Sequence, residues 1–476
     1  MTAQATVAPH RSTAPDVPPP EPAGSWIKDW RPEDPTFWAN TGSRVGWRTL
    51  FITTISLSLS FSTWFVFSAL AVRLPAIGFK FSEADLFWLT AMPGLAGGSL
   101  RMLHMFLIPI LGTRTTITAA TLLKIIPCVG IGIAVMDPTT PFWLFMVWAF
   151  LAGMGGGDFS SFMPSTSVYF PKRLQGTALG IQAGIGNFGV SLTQFVTPWI
   201  VTLAMLGPVV GAPQTLTTKK GAEVVTSQVW LQSAAFWYVP LLLLFGAAAW
   251  IWLRSVPVKA SFKQQLDIFK SKHTWFCTVT YVMTFGSFSG FSAAFPMLIK
   301  SLYGGFPNAP DALKYAFLGP LVGSTVRVFF GWLADKTGGG ILTQLSGLGM
   351  IGCIVAMGFT GVLAPTSVDQ FPLFLGLMLG VFFFSGMGNG STFRQYPVIF
   401  AANPRQGAGV IGFTAAVAAY GPFVFSTLVS QSISSTQASA GVKSALPFFI
   451  GAGVFYAISV AINWYFYVRK GCERPS

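Results

Sequence analysis

The stretch PGLAGGSLRMLHMFLIPILG, residues 93–112, is an apolar run of helix length with one permanent cation, Arg101, inside it. A guanidinium in hydrocarbon costs at least ~2.5–3.5 kcal/mol on insertion scales, so it is kept only where it faces protein or a wet cavity. The pattern returns as GPLVGSTVRVFFGWLADKTGG, residues 319–339. At one constant offset Leu95 falls on Leu321, Gly97 on Gly323, Arg101 on Arg327 and Gly112 on Gly338. In both copies the arginine precedes the last matched glycine by about 11 residues, or ~16 Å of helix, half of a ~30 Å hydrocarbon core. Each half of the chain therefore places one arginine near mid-membrane.

Composition agrees. Of 476 residues, 52% are hydrophobic and only 9% charged, which defines an all-α polytopic membrane protein. A net charge of +14 spread thinly over membrane loops is no nucleic-acid face; the positive-inside bias accounts for it. The four cysteines, Cys128, Cys277, Cys353 and Cys472, have no CxxC or metal spacing and read as packed thiols. No metal or cofactor is expected. Residues 1–24, rich in Ala, Pro and Thr, lack the apolar core of a signal peptide and are expected to be a disordered cytoplasmic tail.

Tryptophans 26, 30, 38 and 47 among Lys28, Arg31, Arg44 and Arg48 make residues 25–48 an expected interfacial segment. Twelve apolar spans follow, at about 50–72, 84–111, 115–136, 141–170, 174–206, 229–253, 274–299, 312–334, 340–364, 371–400, 407–434 and 446–468. Basic residues gather on the side shared by the termini, among them Arg114, Lys172, Arg173, Arg254, Lys259, Lys263, Lys270, Lys272, Lys336, Arg405 and Arg469. Both termini are thus expected in the cytoplasm. The polar loop 255–273 joins an N-terminal six-helix half (49–254) to a C-terminal one (274–469), with 470–476 a short cytoplasmic tail.

The repeat extends beyond the arginines. GGGDFSSF (155–162) matches MGNGSTF (387–393), setting Gly157 on Gly388 and Asp158 on Asn389. GIQAGIGNFG (180–189) matches GFTAAVAAYG (412–421). Parallel repeats related by an axis along the membrane normal, together with Gly331-x3-Asp335-Lys336-x-Gly338, resemble the major facilitator design, with twelve helices in two pseudo-symmetric halves.

Within that frame, glycines such as Gly157, Gly180, Gly184, Gly186, Gly388 and Gly412 let helix backbones approach closely; packing explains them, and so does sliding during alternating access. Asn187 reads equally as interhelical glue or as a substrate contact. The one acid deep inside a span is Asp158, which cannot neutralise Arg101, Arg327 and Lys124 together. The surplus positive charge suits an anion, and a planar guanidinium fork suits a small flat oxyanion or carboxylate. No nucleophile–base constellation or phosphate loop points to an enzyme.

The run GMGGGDFSSFMPSTSVYFPKRLQGTALGIQAGIGNFGVSLTQFV (153–196) resembles the signature of the nitrate/nitrite porter family, and residues 386–423 resemble its C-terminal copy. DWRPEDPTFW (29–38) and YVMTFGSFSGFSAAFPML (281–298) are similar to family members as well. The resemblance implies transport of nitrate, nitrite or both across a bacterial inner membrane by a monomer, with the anion between Arg101 and Arg327 and with Phe159, Tyr281 and Phe285 as flanking aromatics. Proton symport and nitrate/nitrite exchange both stay open. A small anion such as formate, a non-transporting sensor and a channel are the competing readings. Three residues depart from the family pattern: Asp158 stands where asparagine is usual, Lys124 where an apolar residue is, and His104 where an aromatic is common. Lys124 and Asp158 lie at depths about 5 Å apart on neighbouring spans, so an ion pair is expected. His104, three residues beyond Arg101, is a candidate proton carrier, as is Asp158.

Overall fold

The computed structural model describes residues 25–203, 211–220, 223–257 and 266–476. The expected tail at 1–24, and Lys259 and Lys263 of the linker, lie outside them. Among the described residues nine helices are long and apolar enough to cross a membrane. One of them, Glu83–Ala134, has 52 residues, about twice what a single crossing needs. It is interrupted at Gly112, whose φ of 77° and ψ of 166° turn the chain back. The Ser43–Trp64 and Lys172–Ile200 helices, rich in Ser, Thr, Gly and Gln, supply the remaining long segments of the N-terminal half. The whole fits twelve crossings in two like halves.

The repeat is visible in the backbone. Gly338, the partner of Gly112, also has positive φ (92°), where a side chain would be strained. The matched Gly189 and Gly421 each press on the first helix of their own half. A Cβ would stand 2.1 Å from the Ser58 carbonyl in one case and 2.3 Å from the Gly286 carbonyl in the other. Glycine is kept there because backbone meets backbone.

Hydrogen bonds and ion pairs between the halves gather at the end of the bundle away from the termini. Arg73 pairs with Asp311 at 2.8 Å and Lys443 with Glu83 at 2.6 Å. Lys300 Nζ donates to the Val72 carbonyl at 2.6 Å, and Gln194 Nε2 to that of Ser292 at 2.7 Å. Gly184 lies under Val328 of the other half, while Gly180, one turn nearer the termini, has open space where its Cβ would be.

Two local features add to the sequence reading. The loop after the fifth span carries an antiparallel pair, β1 (Gln214–Lys220) and β2 (Glu223–Val229), because its Thr- and Val-rich stretches favour extended backbone. The 25–48 segment is helical from Pro35 and continuous with the first crossing. Ile27 and Trp38 pack with Tyr169, Phe170 and Val256, Trp30 donates to the Val168 carbonyl, and the Ile27 N–H bonds to Ser255.

Candidate functional site

Arg101 is fully buried on the Glu83–Leu123 helix, and Arg327 is only 5% exposed on the Leu318–Thr337 helix. They are close enough to interact electrostatically with each other and with Tyr281. Arg101 uses two nitrogens on backbone carbonyls: Nε donates to Gly156 and Nη1 to Ala415, both at 2.7 Å. Both acceptors lie where a helix loosens. The Gly153–Gly157 run interrupts the Phe142–Tyr169 helix, and the Pro404–Ala418 helix ends just after Ala415. The second bond crosses between the halves.

The remaining donors make no hydrogen bond of ordinary geometry, although the Tyr281 hydroxyl lies beside the Arg327 guanidinium. Arg101 Nη2, both terminal nitrogens of Arg327 and the Tyr281 hydroxyl are buried without a hydrogen bond in the protein. Neither arginine forms a salt bridge among the described residues. Buried polar groups are nearly always satisfied, and a charged one left bare is costly. Four such donors stand on or beside two buried cations that form no salt bridge among the described residues.

Aromatic rings wall it. Phe159 lies 4.9 Å and Phe285 5.1 Å from the Arg101 guanidinium carbon, one ring from each half. Tyr281 stacks on Phe285 at 5.5 Å. Two rings went unseen in the sequence, Trp64 at 5.4 Å from Arg101 and Phe393 at 4.9 Å from Arg327. Phe393 closes the repeat match GGGDFSSF/MGNGSTF opposite Phe162, a signal that could have found it; Trp64 left none. Asn187 is buried with neither end of its amide bonded, and no contact ties it to the arginines. Among the glycines, Gly157 meets Leu100 and His104, Gly186 meets Leu57, and Gly388 meets Thr284 and Ser346. Gly412 touches only the Met105 side chain.

Lys124 and Asp158 form a salt bridge, the lysine 0% and the aspartate 1% exposed. Lys124 also donates to the Ala120 carbonyl at 2.5 Å, and Ser60 Oγ to Asp158 Oδ2 at 2.6 Å. The one deep acid is therefore spent on the lysine, and both arginines keep their charge. His104 borders this pair, with Nδ1 3.0 Å from Ser161 Oγ and 3.7 Å from Asp158 Oδ1.

A membrane-spanning bundle of two like halves, with two buried arginines, one from each, close enough to interact, is the architecture of a solute transporter. The Major Facilitator Superfamily model matches residues 50–426. The chain is 58% identical over 452 residues to the probable nitrate/nitrite antiporter NarK2 of Thermus thermophilus, covering 95% of this chain and 98% of that one. It is 36% identical to the nitrate/nitrite transporter NarU of Escherichia coli (strain K12), covering 93% and 96%. The chain belongs to the nitrate/nitrite porter family of the Major Facilitator Superfamily, a family of transporters and not of enzymes. Among solved structures it is similar in fold to a D-xylose-proton symporter, with a TM-score of 0.62, 15% identity and coverage of 88% and 97%. A bacterial homologue of the lysosomal transporter Spinster, inward-facing and occupied, gives 0.61 at 13% identity, covering 87% and 95%.

Proposed function

We propose that this protein is a secondary transporter that carries nitrate and nitrite across a bacterial inner membrane by alternating access, with both termini in the cytoplasm. The observation that carries it is the pair Arg101 and Arg327, buried, without a salt bridge among the described residues and with N–H donors left unbonded. An anion there accepts from both guanidinium forks and from Tyr281, between rings contributed by Phe159 and Phe285. The names of the two relatives above supply the substrate class. Empty, the site sets two cations against each other. An anion removes that repulsion, so the halves come together over a filled site and not over an empty one. The cross-half ties at the far end and the open face at Gly180 correspond to a carrier open to the cytoplasm. Exchange of nitrate for nitrite and symport of nitrate with protons both use this cycle; the protein works as a monomer.

The test is counterflow in proteoliposomes. Vesicles loaded with nitrite should take up labelled nitrate in a saturable manner, with formate a poor competitor. Arg327→Lys keeps the charge but loses the fork, and a hydrogen bond to a charged group is worth about 1.5–3 kcal/mol. Nitrate affinity should therefore fall roughly tenfold or more. Normal uptake by that variant would exclude bidentate binding. Nitrate binding without flux would identify a sensor, and flux without saturation a channel.

A further inference from the structure

We propose that His104, held by Ser161 and by the Lys124–Asp158 pair, is a proton-binding site linked to the anion site, so that the transporter takes up a proton as it binds nitrate. This rests on the assignment of nitrate to Arg101 and Arg327.

The geometry is that of a relay with one open end. Lys124 and Asp158 neutralise each other and are sealed from water. The His104 side chain is 12% exposed and is carried on the arginine's own helix, one turn from Arg101. Ser161 Oγ lies 3.1 Å from the Asp158 carbonyl, to which it can donate, and 3.0 Å from His104 Nδ1. With the serine proton on that carbonyl, Ser161 accepts from Nδ1–H of the neutral ring, which leaves Nε2 as the nitrogen that takes up a proton. Once protonated, the ring holds its Nδ1–H toward the Asp158 carboxylate, now 3.7 Å away, close enough for a small rotation to complete an ion pair. The buried carboxylate thus has two cationic partners in the protonated state and one in the neutral state.

The coupling follows from charge. The charged groups around the ring are Asp158 on the Phe142–Tyr169 helix, Lys124 reached through it, and Arg101 on the ring's own helix. An imidazolium added beside Arg101 and Lys124 is opposed by two cations and favoured by one anion. A second anion at Arg101 shifts that balance toward protonation. By reciprocity, the proton strengthens nitrate binding by the same factor, in the range of roughly 5- to 150-fold for linked sites.

Calorimetry of nitrate binding by the purified full-length protein, in two buffers of different ionisation enthalpy, tests this directly. Nitrate binding should take up as much as one proton, and affinity should rise as pH falls. His104→Gln should still bind nitrate, with no proton uptake and a flat pH profile. Nitrogen-15 spectra of the wild type give a second readout, since the chain has three histidines. Addition of nitrate at fixed pH should raise the imidazolium fraction of His104. Nitrate binding with no proton uptake, or an unchanged His104 signal, overturns the proton site and leaves the transport assignment intact. No nitrate binding at any pH overturns both.

Discussion

Asp158 and Lys124 illustrate what a single charge does inside this bundle. Each alone would be an uncompensated ion in a sealed interior; together they form a neutral unit braced by Ser60 and Ala120. Removing one partner of a buried pair typically costs 3–5 kcal/mol. Asp158→Asn should therefore lower the melting temperature markedly in a thermal-shift assay, while the double change Asp158→Asn with Lys124→Met should recover most of the loss. The pairing was legible in the sequence because depth along a membrane helix is set by rise per residue. The Trp64 ring over Arg101 was not, since it depends on which face of a neighbouring helix turns inward. The same limit hid the Ala415 carbonyl, a backbone acceptor that no side-chain pattern announces.

At the scale of elements, the two chain reversals that follow the arginine helices are built alike but are not equally tight. Gly112 and Gly338 both have positive φ, a conformation that costs a residue with a side chain about 1–3 kcal/mol. A Cβ at Gly112 would also stand 2.5 Å from Ser255 Oγ, whereas at Gly338 the nearest atom is 3.7 Å away. Gly112→Ala should thus destabilise the protein more than Gly338→Ala, as measured by unfolding in detergent. The C-terminal segment is a second such case. Lys272 and His273 hydrogen-bond Glu473 and hold its carboxylate below its ordinary value of 4.5. A depressed carboxylate lends its stabilisation above the ordinary value and loses it as pH falls through the lowered one. The segment should therefore stay docked near neutral pH, release in acid, and be released at pH 7 by Glu473→Gln, seen as faster carboxypeptidase trimming.

Across the whole molecule, the proposed cycle gives the ties between the halves a role in setting which side of the carrier is open. Arg73–Asp311 and Glu83–Lys443 are partly exposed, and such pairs are worth at most about 1 kcal/mol each. Two of them can still tilt a balanced equilibrium roughly tenfold, because ~1.4 kcal/mol is a factor of ten. Asp311→Asn combined with Glu83→Gln should shift the population toward the form open at the far end. Spin labels across that end would report longer distances, and unchanged distances would remove these pairs from the gate.

What the sequence determined by itself was the frame and the charge: a polytopic helical chain, a repeat that matches Arg101 with Arg327, and too few acids to neutralise them. Those follow from spacing along a helix and from counting ions, and neither needs the fold. The β1–β2 pair, the docking of residues 25–48, the ring set around Arg101 and the cross-half Arg101–Ala415 bond were decided only by tertiary structure. They depend on which helix faces meet, and the small residues that let the helices approach so closely leave that choice to packing.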